Sequence, residues 1–93
     1  MKRERFGSVW DALEDTPQEA ENMKLRATLM RQLRQHIEVQ GWKQTETAEK
    51  LGVTQPRVSD LLRGKIDKFS LDMLVNMSTA AGLKISVKIA EPA

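Results

Sequence analysis

With 93 residues, no cysteine, one histidine (His36) and four aromatic residues (Phe6, Trp10, Trp42 and Phe69), the chain has room for one small domain. Its core must come from Leu, Ile, Val, Met and Ala, which suits helices better than a β-sandwich. The missing thiols and the single imidazole exclude a disulfide framework and a Cys- or His-based metal centre, so no metal or cofactor is expected, and no apolar run is long enough for a bilayer or a signal peptide.

The net charge of +2 is unevenly divided. Residues 6–22 hold five acids and no Lys or Arg, whereas residues 23–93 hold twelve bases and seven acids, a net of +5. The basic body suits a phosphate backbone, and the acidic, aromatic leader suits a basic protein.

In chain order, Ser8 with Asp11 predicts a short helical stretch over 8–14 with Val9, Trp10 and Leu13 on its apolar side. Thr16-Pro17-x-Glu19 is a stronger start, with Thr16 as N-cap and Pro17 at the first helical position. From there Leu29, Met30, Leu33 and Ile37 recur at helical spacing to Gln40, with Gly41 as the stop and a break near Asn22 as an alternative. Lys24 and Arg26 on this helix read as a solvated face, His36 as a helix-surface residue, and Trp42 as a core or rim residue.

Gln44 to Leu51 reads as the next helix, Gly52-Val53-Thr54 as a turn, and Gln55 to Arg63 as a further helix ended by Gly64. Ser70 then caps a helix over 71–81 with Leu71, Leu74, Val75 and Met77 or Ala80 inward, stopped at Gly82. Leu83, Ile85, Val87 and Ile89 alternate with Lys84, Ser86 and Lys88, the period of a half-buried strand. A lone strand leaves backbone groups unpaired, so this one calls for residues 3–6 or the same strand of another protomer.

The stretch from Gln44 to Lys65 carries the functional expectation. Ala48 is small enough for a close helix crossing, Gly52 can take the positive backbone dihedral of the turn, and Val53 fills the space below it. Val58, Leu61 and Leu62 share one face of the second helix, which leaves Gln55, Pro56, Arg57, Ser59, Asp60 and Arg63 for solvent or DNA. Such a unit lays its second helix in the major groove. Gln55 can pair bidentately with adenine and Arg57 with guanine, while Asp60 can accept from cytosine or orient Arg57. Thr54 caps the helix beside a phosphate, and Lys43, Gln44, Arg63 and Lys65 are placed to hold phosphates on either side. No nucleophile with a base, metal cluster or phosphate loop accompanies them, so the chain is not expected to be an enzyme.

These residues resemble the Cro and repressor family of phage regulators and the wider xenobiotic-response-element-like helix-turn-helix family. TQPRVSDLLRGK, followed by IDKFSLDMLVNMSTAAGLKISVKI, is similar to the small HigA-type antitoxins over about residues 23–90. The resemblance implies a mainly α fold, a four- to five-helix Cro/repressor-like bundle with a helix-turn-helix, here with a short C-terminal β-strand. It implies a two-fold dimer on a palindromic operator, with Gln55, Pro56, Arg57 and Asp60 where members read bases and Gln44 and Arg63 where they contact phosphates. Two positions depart from the pattern: Lys43 stands where many members carry a Ser or Thr cap, and Pro56 offers a base only apolar contact.

The organisation expected is an acidic leader over 1–21, a DNA-binding domain over 22–82 and a strand and tail over 83–93 that dimerises through Leu83, Ile85, Val87 and Ile89. The function expected is a cytoplasmic transcriptional repressor that is also the antitoxin of a small basic RNase-type toxin, bound through Phe6, Val9, Trp10, Asp11, Leu13 and Glu14. The alternative is a stand-alone phage or host regulator with no toxin partner.

Overall fold

The structure, a computed structural model, describes residues 16–91. Among them are four α-helices: α1 (Pro17–Gln40), α2 (Gln44–Leu51), α3 (Gln55–Leu62) and α4 (Leu71–Ala80), with a 3-10 turn (Ile66–Lys68) before α4. The expected helix over 8–14, the candidate pairing segment 3–6 and the proposed partner-binding residues Phe6, Val9, Trp10, Asp11, Leu13 and Glu14 lie outside the described residues.

The helix ends follow local chemistry. Thr16 Oγ1 accepts the Glu19 backbone N–H at 3.0 Å, and Pro17 loses nothing at N1 because its missing N–H would be unpaired there. The helix then runs unbroken past Asn22, with residues 17–21 forming its start, so the leader expected over 1–21 ends inside a helix. Ser70 Oγ caps α4 by accepting the Met73 N–H at 3.1 Å, and the Met73 sulfur accepts the Ser70 N–H at 3.5 Å in return. Each cap is worth about 1 kcal/mol. Lys43, by contrast, starts α2 with no side-chain cap bond, as its chemistry dictates.

The core joins Met30, Leu33 and Ile37 of α1, Leu51 of α2, Leu61 of α3, Phe69, and Leu74, Met77 and Ala81 of the last helix and its end. Leu33, Leu61 and Leu74 are fully buried, each contributing roughly 1.5–3 kcal/mol of apolar transfer. α1 and α4 form the main support, and α2 and α3 pack on each other across it. One inward assignment for α4 is corrected: Val75 is exposed; of the alternatives Met77 and Ala80 it is Met77 that is buried, and the buried set is Leu74, Met77 and Ser78. The i, i+3, i+4 stripe that meets α1 runs through Leu74, and a residue one step along it faces water.

The expected C-terminal strand is not seen among the described residues. Leu83 turns back to the core and its N–H donates to the Ser78 carbonyl, and Ile85 is half-buried, but Val87 and Ile89 are 79% and 88% exposed. Alternation alone cannot make a strand, because its N–H and C=O groups need a neighbouring backbone, and no described segment pairs with this one.

Candidate nucleic-acid interface

The turn between α2 and α3 sets the geometry. Gly52 ends α2 at φ +69°, its N–H donating to the Glu49 carbonyl while the Val53 N–H donates to that of Ala48. The close approach of the helices rests on Ala48, 8% exposed, and on Thr47, which is fully buried and which sequence pattern did not single out. The Thr47 hydroxyl donates to the Lys43 carbonyl at 2.8 Å, so it enters the core without an unpaired polar atom.

α3 is anchored by Val58 and Leu61, both fully buried, with Leu62 half-buried beside them. Its other face stays accessible: Gln55, Pro56 and Arg63 are exposed, and Arg57, Ser59 and Asp60 are half-buried. Thr54 Oγ1 accepts the Arg57 N–H at 3.3 Å, and Pro56 occupies the first turn, where its missing N–H is tolerated. The backbone N–H groups left over at this end favour an anion. Thr54, Pro56, Arg57 and Asp60 line one shallow depression of about 340 Å³ together with Lys68, a residue the motif alone did not bring into the site.

Arg57 does not point freely outward. Its Nη1 donates to the Lys68 carbonyl at 3.0 Å, and its guanidinium carbon lies 5.5 Å from the centroid of the Phe69 ring. Asp60 does not pair with Arg57; its carboxylate faces Lys65, with Nζ 3.9 Å from Oδ1. That pair is loose and partly exposed, so it directs Lys65 more than it stabilises the fold.

The flanking candidates stand on two elements. Lys43 and Gln44 are exposed at the start of α2, and Arg63 and Lys65 follow α3. Gly64, at φ +72°, has the Arg34 guanidinium so close that a Cβ would meet Nη1 at 3.2 Å, so α1 contributes a cation beside the turn that follows α3. Arg34 and Arg31 border an open groove with Trp42 and Leu62. Trp42 is a rim residue: half-buried, edge-on to His36 at 5.4 Å, and covered by the Lys50 ammonium at 5.0 Å.

Two side chains on α1 do more than their pattern implied. His36 is half-buried with Nε2 3.2 Å from the Ala81 carbonyl, a bond that ties α1 to the end of α4. Arg26 is half-buried as well, its Nε donating to Asn22 Oδ1 at 2.7 Å and its Nη1 to the Phe69 carbonyl at 3.4 Å. Only Lys24, paired with Glu21 at 3.6 Å in full solvent contact, matches the solvated face expected.

Among the described residues no cluster of His, Cys, Asp and Glu is placed to hold a metal, and no helix is long and apolar enough to cross a membrane. No curated protein matches the chain. A family does, over residues 12–90, which takes in α1 through the segment after α4. The matching model is that of a helix-turn-helix domain, in keeping with the two short helices joined at Gly52 and the accessible polar face of α3, and the chain belongs to the helix-turn-helix domain family.

Proposed function

We propose that the protein is a sequence-specific transcriptional repressor that binds double-stranded DNA as a cytoplasmic homodimer and is the antitoxin of a type II toxin-antitoxin pair. The observation that carries the DNA reading is the outer face of α3: Gln55, Pro56, Arg57, Ser59 and Asp60 remain accessible on a helix whose other face is locked by Val58 and Leu61. Lys43, Gln44, Arg63 and Lys65 flank it with groups suited to phosphates, beside the Thr54-capped helix start.

Selection from a random double-stranded DNA pool tests this directly. The wild-type protein should enrich a palindromic motif, and Arg57→Ala should lose about 1–3 kcal/mol of discrimination at one base pair per half-site. Equal losses on every sequence would reassign Arg57 to a phosphate, and enrichment of no motif would refute the reading.

Pairing of two protomers through residues 71–89 gives the segment after α4 the neighbour it needs. Val87 and Ile89 are apolar and exposed, and a second copy of the same segment would supply backbone partners while setting the reading helices about one DNA turn, roughly 34 Å, apart.

The antitoxin role rests on the acidic leader with Phe6, Val9, Trp10, Asp11, Leu13 and Glu14, which complements a small basic toxin and serves no purpose in gripping DNA. Residues 17–22 of α1 are also exposed, leaving the helix start accessible to a partner. The second reading is a stand-alone regulator, favoured by the fact that all the DNA-facing candidates lie between 43 and 65 and ask nothing of the leader. Co-purification with the product of the neighbouring reading frame separates the two. A bound basic protein that is lost on removing residues 1–21 supports the antitoxin, and binding unchanged by that deletion refutes the assignment of the leader.

A further inference from the structure

We propose that Phe69 and Arg26 are positioning residues for Arg57, so that base selection by α3 depends on the loop before α4 and on α1; this rests on the reading of α3 as the DNA-reading helix. The backbone at Lys68 and Phe69 is held by two arginines from different helices. Arg57 donates from Nη1 to the Lys68 carbonyl at 3.0 Å, and Arg26 donates from Nη1 to the next carbonyl, that of Phe69, at 3.4 Å. Arg26 is itself anchored by Nε on Asn22 Oδ1 at 2.7 Å.

The Phe69 ring is the rigid part of this arrangement. It is 2% exposed and belongs to the core cluster, so its face cannot turn away, and the Arg57 guanidinium lies 5.5 Å from its centroid. That distance is within the range of cation–π attraction, which favours a guanidinium over the ring face. An unrestrained arginine loses much rotamer freedom when it binds. Here the cost of ordering is met in the free protein, by one carbonyl and one ring.

The donor inventory leaves the reading edge open. The Lys68 carbonyl takes an N–H from Nη1, while Nε and Nη2 keep side-by-side donors of the spacing that guanine O6 and N7 accept. Arg57 also lines the shallow depression it shares with Thr54, Pro56, Asp60 and Lys68. Arg57 is thus a held reader rather than a mobile cation, and the 3-10 turn Ile66–Lys68 is part of the recognition element.

The test is the same random-pool selection with the full-length wild-type protein, Phe69→Leu, Arg26→Gln and Arg57→Ala, together with thermal melts and the salt dependence of binding. Arg57→Ala should lower preference at one base pair per half-site by about five- to a hundredfold. Phe69→Leu, which keeps an apolar side chain but removes the ring face, and Arg26→Gln should each lower preference at that same base pair several-fold. The other positions and the salt slope should stay as in the wild type, since no phosphate contact is removed. A merely structural role would weaken all sequences together. If folded Phe69→Leu retains the wild-type preference, the proposal is overturned; if that variant does not fold, Arg26→Gln decides by the same criterion. A wild-type protein that enriches no motif removes the DNA-binding reading itself, whereas an enriched motif untouched by both variants removes only the positioning.

Discussion

Gly52→Ala isolates the backbone requirement of the turn. Gly52 has φ +69°, and a Cβ added there meets no atom within 4 Å, so the substitution introduces strain without a clash. Holding an L-residue in the left-handed region costs about 1–2 kcal/mol. The smaller conformational freedom of alanine in the unfolded chain offsets about 0.4–1 kcal/mol of that. The net expectation is a loss of about 1 kcal/mol out of a total on the order of 5–10 kcal/mol for a domain of this size. Thermal unfolding followed by far-ultraviolet circular dichroism should show Tm lower by about 4–8 °C. Urea unfolding should give a lower midpoint with the same slope, because the exposed surface of the two states does not change. Gly64→Ala is the companion: its φ is +72°, but its Cβ would meet Arg34 Nη1 at 3.2 Å, so it should lose similar stability and also displace the Arg34 guanidinium. If Gly52→Ala is as stable as the wild type, the turn can relax out of the left-handed region and the argument for glycine at this position is wrong.

Thr54→Ala removes the acceptor for the Arg57 N–H and should cost about 1 kcal/mol by urea unfolding, with Thr54→Ser restoring most of it. Lys65→Ala breaks only a 3.9 Å, partly exposed pair with Asp60, so the melting temperature should hardly move. If Lys65 holds a phosphate, its removal should weaken binding to all sequences alike and reduce the salt slope by about one. Val87→Asp, at a side chain 79% exposed, should leave the bundle's melt nearly unchanged at low protein concentration but weaken self-association and DNA binding together; an unchanged dimer in sedimentation would refute pairing through this segment.

Much of the bundle is legible residue by residue. Thr16, Pro17 and Ser70 mark helix starts because an N-cap acts on a backbone N–H three residues away, and Gly41 and Gly52 mark stops for equally local reasons. The 3.6-residue spacing of Leu33 and Ile37, and of Val58 and Leu61, identifies the buried stripes without reference to what they touch. The pattern fails where one more neighbour matters. Val75 reads as inward until the crossing of α1 over α4 leaves it at the edge, and the alternation from Leu83 to Ile89 reads as a strand although no described segment pairs with it.

The site shows the same division. Gln55, Pro56, Arg57, Ser59 and Asp60 follow by subtraction once the buried face of α3 is known, and the caps and turn that orient this helix are written within a dozen residues. What Arg57 does with its guanidinium is not, because its partners are the Lys68 carbonyl and the Phe69 ring, reached across a loop. Arg26 reads as a surface cation, yet it grips the Phe69 carbonyl from 43 positions away. Asp60 is free, in sequence, to face Arg57, DNA or Lys65, and the path of the chain after Gly64 turns it to Lys65.

The four described helices, the N-caps at Thr16, Thr54 and Ser70, and a helix-turn-helix with one polar face were thus legible in the sequence, since those depend on spacing and on hydrogen bonds between near neighbours. Only the packing of the helices settles how Arg57 is held, that Lys68 lines a depression with α3 and Arg34 lies beside Gly64, that Arg26 holds the Phe69 carbonyl, and that residues 83–91 form no strand in the single chain. Those outcomes depend on which distant backbone carbonyl, ring or strand edge the packed helices bring within a few ångströms, and no local pattern encodes that distance.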